Sequence, residues 1–165
     1  MLLAGLAGAL SGCGFHPLYG SHGDTAYDTE LASIKVATIP DRPGQVLAEA
    51  LREDLNPSDS DVAPRYVLEI KLSVTRADVG LLVNATASRS QVIVKADVTL
   101  KDIKSNTAVF HAATRTISAF DILTDDYATV VAQHSAEDRS LHDLSNDIRT
   151  RLAVFLQQRR ASAGS

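Results

Sequence analysis

The sequence predicts an α/β fold of the α+β kind, a two-layer sandwich with two helices on a four-stranded mixed sheet, in the order β-α-β-β-β-α. Three observations predict it. Residues 65–75 alternate apolar and polar side chains along their whole length. Two further β-rich runs follow after short links, and strands joined that way form an antiparallel meander. One short and one long stretch carry apolar residues at helical spacing, the stripe of an amphipathic helix.

The first strand spans 31–39, with Ile34, Val36 and Thr38 on one face. Pro40 ends it, because proline cannot donate to a ladder. A helix over 45–55 aligns Val46, Leu47, Ala50, Leu51 and Leu55, with Asp41 as its cap and Asn56-Pro57 as its stop. Residues 57–64 are a polar loop. In the second strand, 65–75, Tyr66, Leu68, Ile70, Leu72 and Val74 face one way and Glu69, Lys71, Ser73 and Thr75 the other. Asp78-Val79-Gly80 has the composition of a turn. The third strand, 86–100, sets Val92, Val94, Ala96, Val98 and Leu100 against Gln91, Ile93, Lys95, Asp97 and Thr99. Lys104-Ser105-Asn106 turns into a fourth run, 107–118, whose core contributors are Val109, Phe110 and Ile117.

The last element is a helix over 125–158, capped by Thr124 and favoured at its positive end by Asp125 and Asp126. Tyr127, Val130, Val131, His134, Leu141, Leu144, Ile148, Leu152, Phe155 and Leu156 form its apolar stripe, and Arg159 and Arg160 suit its negative end. Unbroken, it is about 50 Å long, more than a domain of this size is expected to cover. The expectation is a break near 138–140 or an overhanging end. One sheet face is left to solvent or a partner, and the strands project beyond the helix layer at one end.

Residues 1–12 are uncharged and rich in Leu, Ala and Gly, which is the apolar core of a secretory signal. The stretch is shorter than the about 20 residues that span a bilayer. Leu10-Ser11-Gly12-Cys13 has the form of a lipobox, so Cys13 is the expected lipidation site. Stable anchoring takes more than one acyl chain. No Lys or Arg precedes Lys35, so the basic start of a signal is missing, and a start codon placed slightly late is expected. The competing reading is a buried apolar N-terminal strand or helix with a core cysteine. Cys13 is the sole cysteine, so it cannot form an internal disulfide, and lipidation disposes of a free thiol in an exported protein. Residues 13–30, soft in composition from Gly14 to Thr29, read as a lipidated tether. Residues 31–160 form one domain and 161–165 a disordered tail.

The net charge of −4 argues against nucleic-acid binding, as do the absent tryptophan and sparse aromatics. Residues 1–80 hold 6 basic and 11 acidic side chains, and 81–165 hold 10 and 9, so any basic surface lies in the second half. There is no Gly-x-Ser-x-Gly or Walker motif, and no thiol remains beyond Cys13. Of the five histidines (His16, His22, His111, His134 and His142), the last two lie eight apart on the final helix, where a metal pair wants one turn. His134 reads as a semi-buried helix residue. Asp121, Asp125 and Asp126 read as capping residues, because the Gly and terminal Glu of a calcium loop are missing. The expectation is a protein without catalysis, cofactor or metal. Arg76, Arg89, Lys95, Lys101 and Lys104 fall on or near strand ends, so they are candidate contacts for a phosphate or an acidic wall. The alternative is a solvated sheet surface whose charges guard its edges.

Two stretches carry a resemblance. Cys13-Gly14-Phe15-His16-Pro17-Leu18-Tyr19-Gly20 resembles the mature start of the LPS-assembly lipoproteins of the LptE family, alphaproteobacterial type. Tyr127-Ala128-Thr129, leading to Ala136-Glu137-Asp138-Arg139 and then Leu144, Ile148, Arg149, Leu152 and Phe155, is similar to that family's C-terminal helix. So is Asp41-Arg42-Pro43-Gly44-Gln45, with the helix that ends at Leu55. The resemblance implies an outer-membrane lipoprotein on the periplasmic face that partners and plugs the lipopolysaccharide-transport β-barrel (LptD-like), aids its assembly and helps deliver lipopolysaccharide to the outer leaflet. It implies a small sandwich of two helices on a four-stranded sheet, and basic lipopolysaccharide contacts toward the loop end of the sheet. Gly14 after the cysteine fits release to the outer membrane. A stand-alone, membrane-tethered module for lipid or peptide is the alternative, and it predicts an apolar pocket between sheet and helices.

Overall fold

The computed structural model describes residues 25–81 and 87–163. The expected signal segment 1–12, Cys13 and the first part of the tether lie outside the described residues, as do the last two residues of the tail. The elements are α1 (Thr25–Ala32), β1 (Ile34–Val36), α2 (Asp41–Leu55), β2 (Tyr66–Leu81), β3 (Ala87–Asp102), β4 (Thr107–Asp121) and α3 (Asp126–Ala163). The sheet order is β1-β2-β3-β4, with β1 parallel to β2 and the other pairs antiparallel. This is the predicted mixed sheet with its two substantial helices on one face.

Alternation places the core. The even-numbered residues of β2 and β3 point toward the helices, and Tyr66, Leu68, Ile70, Val92, Val94, Ala96, Val98 and Leu100 are buried there. They meet Leu47, Leu51 and Leu55 of α2 and Leu141, Leu144, Ile148, Leu152 and Leu156 of α3. In β4 Val109, Phe110 and Phe120 pack on the core, the other residues on that side are small or polar, and two of these bond to α3. Thr114 Oγ1 donates to Asp147 Oδ2 at 2.5 Å and Thr116 Oγ1 to the Ser140 carbonyl at 2.9 Å. Phe110 packs on Phe155 with ring centroids 5.1 Å apart. These contacts run α3 antiparallel to β4. Arg42 to Glu137 at 3.3 Å and Ser145 to Asp54 at 2.5 Å set α2 beside α3 in the same direction.

Several expectations are corrected. The first strand is only Ile34–Val36, and its expected opening is the end of α1. Leu31 is 1% exposed, and Ser33 Oγ donates to the Glu30 carbonyl at 2.7 Å, so burial and a local cap favour helix over both strand and tether there. α2 starts at Asp41 with Pro40 in the cap position, and no side chain caps it. Asp41 has φ 65°, a left-handed backbone and not the extended one a capping residue needs. The expected turn at 78–80 is strand: Asp78 pairs with Ser90 and Val79 with Arg89. Asp78 reaches a hydroxyl across the ladder, which removes its incentive to turn the chain.

α3 is continuous through 138–140 and extends through Ala163, so the first part of the expected tail is helical. At 38 residues it is about 57 Å long. The strands of 15 or 16 residues reach about 50 Å themselves, so the sheet is long enough to carry it. The overhanging end is what occurs. Ala136 is the first fully buried residue of α3, while Tyr127 is 77% exposed and Val130 and Val131 are nearly half exposed. Tyr127, Val130 and Val131 of the expected apolar stripe, and His134, expected to be semi-buried, are exposed, and no described element covers them. α2 begins level with Glu137 and Asp138, so the strands run on past the two-helix layer at this end. The cap of α3 is Asp125, not Thr124: its Oδ1 accepts from the amides of Tyr127 at 2.8 Å and Ala128 at 3.3 Å.

Candidate functional site

The odd-numbered residues of β2, β3 and β4 form a sheet face that no described helix covers. The register builds it in rungs: Glu69, Thr99 and His111, then Lys71, Asp97 and Ala113, then Ser73, Lys95 and Arg115, then Thr75, Ile93 and Ile117. Most of these side chains are exposed, and Ile117 is 49% exposed. The face is polar with a narrow apolar band. It suits contact with a wall that is itself polar.

The five predicted cations do not gather into one patch. Arg76 lies on the helix side near the overhanging end. Its Nε donates to Ser90 Oγ at 3.0 Å, its Nη1 to Gln133 Oε1 at 3.3 Å, and its guanidinium lies 5.4 Å from the centre of the Phe120 ring. Arg89 lies on the bare face at the same end, 3.8 Å from Asp121. Lys95 sits mid-strand on the bare face. Lys101 is at the opposite end, with Nζ 2.7 Å from Glu69. Lys104 is in the β3–β4 turn, which Asp102 organises by accepting from the amides of Lys104 at 2.9 Å and Ser105 at 3.1 Å. Three of the five therefore hold carboxylates of this chain, and Lys95 and Lys104 hold none among the described residues.

Sequence reading missed two groupings. Arg115 stands directly opposite Lys95, but β4 alternates poorly in hydrophobicity, so its outward residues could not be counted off without the register. The other lies where β2 begins and α3 ends. The Tyr66 ring has Arg65 at 5.2 Å and Arg159 at 5.9 Å, and its hydroxyl donates to Glu30 Oε1 at 3.4 Å. Glu30 also lies 3.8 Å from both Arg65 and Arg160. A hollow of about 360 Å³ is lined by Glu30, Ser33, Arg65 and Arg160 among others. A second, of about 440 Å³, opens between β1 and the end of α2. Both are surface hollows beside β1. Among the described residues no group of three or more His, Cys, Asp or Glu could hold a metal ion, and no helix is long and apolar enough to cross a membrane.

The titrating groups give a pH prediction. The Ser90 hydroxyl, helped by Arg76, holds the Asp78 carboxyl below its ordinary value against lost hydration. Amide donation from Ser105 and Lys104 does the same for Asp102. For Asp147, partial burial works upward, but the bonds from Arg151 and Thr114 outweigh it and the carboxyl is lowered. Burial raises the Tyr66 phenol above 10.0. A lowered carboxyl stabilises the fold above its unfolded value and loses that contribution as pH falls through the folded one. A raised phenol does the reverse, failing as pH rises from its unfolded value through the folded one. Urea midpoints should therefore be flat from about pH 5 to pH 9 and fall on both sides. Asp147→Asn should shallow the acid limb, and an acid limb unchanged by that substitution refutes the assignment.

A family model described as LptE, lipopolysaccharide-assembly, matches residues 31–152. No curated protein matches the chain. Among solved structures, the fold is similar to a lipoprotein from Caulobacter crescentus CB15 at 22% identity and TM-score 0.65, covering 80% of this chain and 96% of that one. It is similar to lipoprotein B from Nitrosomonas europaea at 10% identity and TM-score 0.58, covering 75% and 83%. A minor lipoprotein from Acinetobacter baumannii matches at 15% identity and TM-score 0.54, covering 73% and 88%. At these identities the likeness is one of fold.

Proposed function

The chain belongs to the LptE lipopolysaccharide-assembly family, and from that premise we propose that it is an outer-membrane lipoprotein, lipid-anchored through Cys13 on the periplasmic side, that partners and plugs the lipopolysaccharide-transport β-barrel. In that role it aids the barrel's assembly and the delivery of lipopolysaccharide to the outer leaflet. The observation that carries the reading is the family match across 31–152, on an elongated sandwich with one bare polar sheet face. A plug must offer the inside of a barrel a long surface that water also tolerates, because a barrel lumen is polar. The bare rungs from Glu69 to Ile117 have that character, and the overhanging turn with Tyr127, Val130 and Val131 supplies an apolar contact at one end. Lipopolysaccharide phosphates are the second proposed partner. Arg76, Arg89 and Lys101 are engaged with carboxylates, which leaves Lys95 and Lys104 as the freer of the five candidate contacts.

The test is a pull-down of the tagged full chain from membranes in mild detergent, with mass spectrometry of what comes with it. A co-purifying outer-membrane barrel is expected, and depletion of the chain should lower the amount of folded barrel. If no barrel is recovered, the reading falls. The tethered binding module is less favoured. Its apolar pocket would have to lie between sheet and helices, where Leu68, Leu100, Leu141, Leu144 and Ile148 are packed to 1% exposure or less.

A further inference from the structure

We propose that the free edge of β4 is a docking site for one extended segment of a partner protein, added to the sheet as a further strand with an acidic side chain level with Arg115. β4 ends the sheet order, so among the described residues no strand lies on the outer side of residues 107–121. The register says which groups are free. The Ile122 amide donates to the Ser88 carbonyl at 3.1 Å, so that pair is hydrogen-bonded. Hydrogen-bonded and open pairs alternate along an antiparallel ladder, and this one shifts only between Leu100 and Lys101. The even-numbered residues of β4 down to Phe110 therefore bond to β3. The N–H and C=O groups of His111, Ala113, Arg115, Ile117 and Ala119 point away from the sheet.

Above Phe110 this edge lacks the usual guards, its one register shift lying at Val109 near the start of the strand. Proteins blunt free edges with proline, lysine or bulges. β4 has no proline and no lysine, and Arg115 is its one basic residue apart from His111. The opposite edge differs. β1 covers β2 only from Tyr66 to Leu68, and the uncovered remainder carries Glu69, Lys71, Arg76 and Asp78. The chain defends one edge with charge and leaves the other nearly smooth.

The charge pattern selects the occupant. Arg115 and Lys95 face each other across the ladder, an arrangement that destabilises a sheet when left uncompensated. Both are exposed, and neither has an ion-pair partner among the described residues. Ala113 and Ile117 flank Arg115 on the same face. A strand with a carboxylate opposite Arg115 and apolar or β-branched residues on either side compensates the pair and covers Ile117. Strand addition takes its affinity from the main chain and its specificity from alternate side chains, as here. A second copy fits less well. Full antiparallel overlap of two β4 strands centres on Thr114 and makes the two Arg115 side chains diagonal neighbours. The strand's only carboxylate, Asp121, already faces Arg89, and using it would shorten the ladder to residues 115–121.

The test adds to the full chain in detergent a millimolar peptide of alternating threonine and valine with a central glutamate, or the same peptide with a central lysine. Amide hydrogen exchange is followed by NMR. The glutamate peptide should slow exchange at Ala113, Arg115 and Ile117 and leave Ala112 and Thr114 as they were. The lysine peptide should bind about fivefold more weakly, and Arg115→Glu should invert the preference. Ala113→Pro removes an outward N–H and no internal ladder bond, so it should keep the fold and abolish the protection. The proposal is overturned by unprotected odd-numbered amides, by binding indifferent to either charge swap, or by protection that grows with protein concentration in the absence of peptide, which would mean a second copy.

Discussion

Replacing Tyr66 by alanine should lower the unfolding free energy by about 3–5 kcal/mol, the range for deleting a fully buried aromatic ring. Tyr66 is wholly buried at the first rung of β2, where α1, β1 and the end of α3 converge. Its ring lies against Arg65 and Arg159, and its hydroxyl donates to Glu30, which is itself close to Arg65 and Arg160. Deletion leaves a cavity and removes the surface on which two guanidiniums rest. Tyr66→Phe keeps the ring and loses one hydrogen bond, so it should cost only about 1 kcal/mol. Urea unfolding of the three proteins measures both. A loss below 1 kcal/mol for the alanine variant would show that this junction is not part of the cooperative core.

Gly44→Ala is the second large effect, about 1–3 kcal/mol, the range for overpacking. A Cβ at Gly44 would meet Ile39 Cγ2 at 2.7 Å and the Ile39 carbonyl oxygen at 2.8 Å. The side chain can rotate away, but the carbonyl is backbone and cannot do so alone. Ile39 is 2% exposed in the link from β1 to α2, so that link must shift or the first turn of α2 must lift. On an exposed helix face the same change would stabilise by about 1 kcal/mol. The sign of the measured change therefore separates close approach from helix propensity. An unchanged urea midpoint would refute the close approach.

The sheet was legible because β2 and β3 alternate, and alternation on one buried face fixes register. The limits of those strands were not legible. Asp78-Val79-Gly80 has turn composition, and the ladder to β3 together with the side-chain partners Ser90 and Arg76 keeps it extended. The helix stripes were read correctly in spacing, but spacing does not say how far the partner surface extends. Tyr127, Val130 and Val131 hold the period of α3 and meet no described element. α1 was missed because eight residues of TAYDTELA have almost no amphipathic pattern, and its order comes from Leu31 buried in the core and Glu30 paired with Arg65 and Arg160. Of the five candidate cations, Arg76 is tied up by Asp78 two residues on, which the turn expected at 78–80 concealed, and Arg89 and Lys101 by carboxylates on neighbouring strands, whose proximity depends on register. Arg115 was hidden for the same reason.

The position of α3 after the three long strands has a kinetic consequence. A ribosome or a translocation channel releases the three long strands first, and they pair locally at little entropic cost. Their apolar side then waits, with Leu68, Val98 and Leu100 in contact with water, until Leu141 to Leu156 have emerged. During that interval the half-made protein is a sticky ribbon with unsatisfied edges, the kind of species that aggregates. A holding chaperone that recognises exposed apolar β-surface would have its work confined to that interval, and docking of α3 would end it.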